Sequence, residues 1–134
     1  MNLDPLLTAP LSVQVHAATV IPSFFLGTWL IFASKKGRSA HRRIGYLYMA
    51  LMIVTAVAAL FVHQLNPDGP FGLSWIHIFV PVTLAGIAVA LYAAHRHDIR
   101  THKRNMIGVY VGGLLIAGGF ALTPGRLMFD VLFR

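Results

Sequence analysis

The sequence predicts an all-α membrane protein, with four transmembrane helices in an up-down-up-down antiparallel bundle and both termini outside. Three observations predict it. The first is four windows without a charged residue, 5–34, 44–67, 69–94 and 105–125, of 30, 24, 26 and 21 residues. A helix needs about 20 apolar residues, at about 1.5 Å each, to cross a bilayer. The second is composition: 57 % apolar and only 11 % charged over 134 residues. A soluble domain of this size has too much surface to hide that much apolar chain, and a disordered chain is more polar. The third is where the charges fall. The 35–43 and 95–104 segments hold nine of the eleven Lys and Arg, against one acid, Asp98.

Each element follows in order. The first span is expected near 12–33. Met1-Asn2-Leu3-Asp4-Pro5 has no Lys or Arg, unlike the start of a signal peptide, so this stretch reads as a retained span. The second span is expected near 43–64, the third near 73–94 and the fourth near 104–123. Short connections make neighbours antiparallel. Basic short loops stay on the cytoplasmic side, which places 35–43 and 95–104 inside and the Asn66–Gly72 turn outside. The expected home is a bacterial inner membrane, with lipid as the first partner; the charges do not call for nucleic acid. In the last span Gly108, Gly112, Gly113 and Ala117 form small-residue ridges of the kind that let helices approach closely in lipid. Past Thr123-Pro124-Gly125, residues 126–134 are too short to span and are expected to lie at the outer interface, with Arg126 and Asp130 spaced to pair on a helix.

With no cysteine there is no thiolate metal site, disulfide or cysteine nucleophile. No nucleophile–base pair or phosphate loop stands out. The chemistry therefore falls to seven histidines, since ionisable groups in spans are costly and usually functional. His16, His63 and His77 each lie about 28–30 Å from the inner charged edge at helical rise, forming an outer layer. His41, His95, His97 and His102 form an inner one. At about 100° per residue, His77 and His95 share a face, and so nearly do His41 and His63. Taken one per helix, His16 and His77 pair outside, and His41 and His102 pair inside. Facing imidazoles of this kind hold b-type haem. Gly45, four residues after His41, leaves room beside a ring, and Arg126 and Arg42 are matched to haem propionates. A three-imidazole Zn or Cu site from His16, His63 and His77 is the alternative.

Lys36-Gly37-Arg38-Ser39-Ala40-His41-Arg42-Arg43-Ile44-Gly45-Tyr46-Leu47-Tyr48 resembles the K-G-x-x-x-H-R-x-x-G-x-x-Y signature of small bacterial membrane proteins grouped as domain of unknown function 2306. Trp75-Ile76-His77, His102-Lys103-Arg104-Asn105-Met106 and Thr123-Pro124-Gly125-Arg126 resemble its later motifs. The likeness runs over roughly residues 12–130. It implies four spans and weight on His16, His41, His77, His102 and Arg126, without an activity. The layout is also similar in a general way to four-helix di-haem cytochromes b, although these histidines lie nearer the membrane surfaces.

Three functions fit these residues. The first is a membrane haem b protein for electron transfer, with quinone as candidate partner; as an enzyme it would be a membrane oxidoreductase. The second is a non-catalytic membrane subunit or assembly factor, with a homo-oligomer or membrane-complex partner. The third is a His-ligated Zn or Cu bundle.

Overall fold

The structure is a computed structural model, and it describes residues 1–62, 70 and 73–134. His63 and most of the turn expected at 66–72 lie outside the described residues. Helix α1 (Asp4–Leu7) leads into α2 (Leu11–Phe32), the first span. Helix α3 (Ser39–Ala59) is the second. A 3₁₀ turn (Trp75–Ile78) runs into α4 (Phe79–His95), together the third. Helix α5 (Ile99–Val109), a π-helical stretch (Tyr110–Ile116) and α6 (Ala117–Ala121) make the fourth, and α7 (Leu127–Phe133) closes the chain. There is no strand among the described residues.

Four helices are long and apolar enough to cross a membrane: Leu11–Phe32, Ser39–Ala59, Trp75–His95 and Ile99–Ala121. Only 17–28 % of each is buried inside the chain. Large apolar side chains such as Phe25, Val82 and Tyr92 stand outward. In lipid that is the expected face, because the bilayer replaces the missing core. Neighbours pack around a ring: α2 on α3, α3 on α4, α4 on α5, and the π-helical stretch back on α2. Spans one and three, and spans two and four, therefore face each other diagonally. Helix α1 packs on α7, and the Asn2 amide donates to the Val131 carbonyl at 2.9 Å. The two termini thus share one end of the bundle, and the basic loops share the other.

Spans two and four start earlier than the hydropathy reading for one reason. Charged residues close a hydropathy window, but they do not stop a backbone helix. Span two begins at Ser39, with Arg42 and Arg43 in its early turns. Span four begins at Ile99 because Asp98 caps it, accepting from the Thr101 amide at 3.1 Å. Hydrogen bonds from the Thr101 side chain and backbone hold the Asp98 carboxyl below the usual carboxylate range. Lys36 folds back over the end of α2, where its Nζ donates to the carbonyls of Leu30, Ile31 and Ser34, a cation on the C-terminal carbonyls of a helix.

Two angular expectations change. His77 and His95 do not share an inward face: His77 is buried and His95 exposed. The reason is the 3₁₀ turn over Trp75–Ile78, which winds by about three residues per turn and breaks the α-helical phase. Asp130 pairs with Arg134, Nε to Oδ1 3.2 Å, and not with Arg126. Arg126 is the residue before the first turn of α7, in extended conformation, so the two side chains are not on one helical face.

The bundle centre is Leu30, Tyr48, Met49, Met52, Ile87, Val109, Tyr110 and Leu114. Its tightest contact is at Gly27, where an added Cβ would lie 2.7 Å from Tyr110 Cδ2 and 2.9 Å from Tyr48 Cε2. Gly86 is equally close to Val109, at 2.8 Å. On the predicted ridge only Gly113 is this crowded, 3.1 Å from Met52 Cε, while Gly108 meets nothing within 4 Å. Gly27→Ala is expected to destabilise the bundle by about 1–3 kcal/mol, the usual cost of overpacking. Gly45→Ala, which meets nothing within 4 Å, is expected to be neutral or slightly stabilising. Denaturant unfolding of both variants in detergent micelles checks the contrast.

Candidate functional site

The half of the bundle away from the basic loops holds a partly open cavity of about 220 Å³. His16, His77 and Arg126 all line it, so three residues singled out from sequence meet at one place. Its walls are otherwise mostly small or apolar: Ala17, Ala56, Ala59, Gly113, Ala117 and Gly118 come from three spans. On span four the wall begins within the π-helical stretch at Gly113 and continues after it at Ala117 and Gly118.

Hydrogen bonds fix the proton on each imidazole. His16 Nδ1 lies 2.9 Å from the Thr55 carbonyl. A carbonyl only accepts, so Nδ1 carries the proton and Nε2 keeps its lone pair. Thr55 also donates its hydroxyl to Thr19 Oγ1 at 2.7 Å, tying spans one and two together behind the ring. His77 is different. The Ser74 amide donates to its Nδ1 at 2.9 Å, which leaves the proton on Nε2, and Nε2 donates to the Val62 carbonyl at 3.2 Å. Both nitrogens are committed to the chain. They cap the start of the third span and clasp it to the end of the second.

At the opposite end, Ser34 donates to the Leu30 carbonyl at 2.8 Å, so its oxygen accepts from His41 Nδ1 at 2.7 Å. His102 Nδ1 donates to the Ala90 carbonyl at 2.9 Å. Both rings therefore keep Nε2 open. They sit on spans two and four, half-buried, and within electrostatic range of each other. Lys36 is also within range of His41. Arg42 is exposed on the turn beside His41, and a Cβ at Gly45 would meet nothing within 4 Å. His95 and His97 are exposed at the same end.

The structure thus brings together His16, His77 and Arg126 at one end and His41 and His102 at the other. His63 lies outside the described residues, so the three-imidazole set stands with two of its members on one cavity. Among the described residues no group of three His, Asp or Glu side chains is placed to hold a metal ion. Sequence reasoning missed Thr55, Thr83 and Ser34. The first two line the cavity and the third orients His41. Their signal was only a buried hydroxyl in a span.

Loss of the His77 clasp has a measurable cost. His77→Ala removes two bonds from a buried ring and leaves the Val62 carbonyl unpaired, which costs about 1–3 kcal/mol. His95→Ala removes an exposed ring and is expected within about 0.5 kcal/mol of the parent. Unfolding midpoints of the two variants measured side by side check this.

No curated protein and no solved structure matches the chain. The family model described as predicted membrane protein (DUF2306) matches residues 13–129. That match takes in all four spans, both imidazole layers and Arg126, and the chain belongs to this family.

Proposed function

We propose that the protein is an integral membrane electron-transfer protein that holds a haem b between His41 and His102, in a bacterial inner membrane with the basic loops on the cytoplasmic side. One observation supports the haem reading above the others. His41 and His102 lie on diagonal spans, and each gives Nδ1–H to a chain acceptor while keeping Nε2 open. Histidines that ligate a metal usually have this form, because the outer bond sets the tautomer and the ring plane. The ligand set fits the group: two imidazoles, an uncrowded turn at Gly45 and a guanidinium on Arg42 matched to a propionate. When bound, the haem supplies a reversible one-electron centre. The chain holds the two rings in place through Ser34 and the Ala90 carbonyl. Lys36, within range of His41, adds positive charge, which favours the reduced form. The outer pair suits a second haem less well, since His77 would have to release both of its bonds.

The visible spectrum tests this directly. Protein expressed with ample haem is expected to show a Soret band and a sharp reduced α-band. His41→Gln and His102→Gln are each expected to lose six-coordination or the haem itself. A colourless parent with stoichiometric Zn or Cu would replace haem by a metal. A colourless parent without metal, or full haem content in both variants, would overturn the proposal.

The membrane orientation rests on the asymmetry of Lys and Arg. The sequence has no cysteine, so single-cysteine labelling is unambiguous. Arg38→Cys and Arg100→Cys are expected to react with an impermeant maleimide only from the cytoplasmic side. A cysteine appended after Arg134 is expected to react only from the other side. Labelling of either loop from outside would reverse the orientation.

A further inference from the structure

We infer that the outer cavity binds the ring head of an isoprenoid quinol, with His16 Nε2 and the Thr83 hydroxyl as its two polar partners. The cavity holds about 220 Å³. That is above the roughly 150 Å³ that an apolar cavity needs to take one benzene ring. It is below the roughly 300–1,000 Å³ of sites for larger ligands. One substituted ring fits the scale. The walls are almost wholly apolar and belong to membrane-spanning helices, so the ligand must partition into lipid.

Thr83 points to what that ligand carries. Buried and half-buried Ser and Thr hydroxyls in this chain are otherwise spent on the chain itself; the Tyr48 hydroxyl is also buried without a partner, but it sits in the packed core and does not line the cavity. Ser23 donates to the Thr19 carbonyl, Thr28 to Phe24 and Ser34 to Leu30, the usual back-bond to the preceding turn. Thr55 donates to Thr19 Oγ1. Thr83 is 5 % exposed, lines the cavity, and makes no hydrogen bond among the described residues. A buried hydroxyl without a partner is costly, and this one faces a space that a ligand oxygen can fill. His16 supplies the complementary group from the opposite wall: its Nε2 accepts, and span one faces span three across the bundle. A ring with an oxygen at each side satisfies both, which an acyl chain cannot do. Gly113 keeps the space open, since a Cβ there would stand 3.3 Å from Thr83 Oγ1. Arg126 lies on the wall as a further donor.

A role for this ligand as electron donor rests on the electron-transfer reading above; its binding does not. The test uses full-length protein in nanodiscs of saturated phosphatidylcholine, titrated with a short-chain ubiquinol and a short-chain menaquinol. Saturable binding of at least one is expected. Thr83→Val, which keeps the volume and removes the hydroxyl, is expected to weaken it at least tenfold. Ala117→Phe, which fills the cavity, is expected to abolish it. Unfolding midpoints confirm that both variants fold, and Thr83→Ser is expected to restore binding should Thr83→Val fail to fold. His41→Gln protein, stripped of haem, is expected to bind as the parent does. Binding of neither quinol to folded parent would overturn the inference, and so would equal affinity in parent and Thr83→Val. Loss of quinol binding with haem intact removes this site alone; quinol binding in a colourless protein removes the haem alone.

Discussion

Hydrocarbon offers no hydrogen bonds, so polar groups inside this bundle are stabilised by finding a partner within the chain or in a ligand, and among the described buried groups the Tyr48 hydroxyl is an exception. The rest of the structure follows from that constraint. Serine and threonine hydroxyls fold back onto carbonyls one turn earlier. Tyr110 donates to Thr28 Oγ1 at 2.7 Å across the bundle centre. Lys36 donates to the carbonyls at the end of the first span. Imidazoles obey the same rule, and because each has two nitrogens, the chain's choice of which to satisfy decides what the other can do. His77 has both nitrogens satisfied and acts as a clasp. His16, His41 and His102 have Nδ1 satisfied and present Nε2.

Apolar exterior and polar interior then divide the work. The outward faces are held by lipid and need no specific packing. The inward faces are held by a few close approaches, of which Gly27 between Tyr48 and Tyr110 is the tightest. Those two rings fill the middle of the bundle. Tyr48 and Tyr110 belong to the packed core, and Met52 and Gly113 line the cavity at the end of the bundle away from the basic loops.

Much of this was legible in the sequence because it depends on spacing alone. Charge-free windows gave four spans, and counting from the basic edge placed His16 and His77 at one depth, where they do share a cavity. What spacing could not give was direction. The common face of His77 and His95 assumed a uniform helix, and a single 3₁₀ turn at Trp75 removed it. Arg126 and Asp130 have the helical interval, but Arg126 precedes the helix, so Asp130 turned to Arg134. Gly27 and Gly86 carried no local mark: their role exists only once Tyr110 and Val109, more than twenty residues away, arrive beside them. Thr83 looked like any threonine in a span until its neighbours showed it had no partner.

The account depends on which nitrogen of each imidazole holds the proton. Nitrogen-15 magnetic resonance of histidine-labelled protein in nanodiscs, freed of any bound metal or haem, reads that tautomer directly. The account predicts protonated Nδ1 and an unprotonated, acceptor-type Nε2 for His16, His41 and His102, and the reverse for His77. Protonated Nε2 with free Nδ1 at His41 and His102 would contradict it, because the nitrogens offered to a ligand would then be the ones the chain already holds.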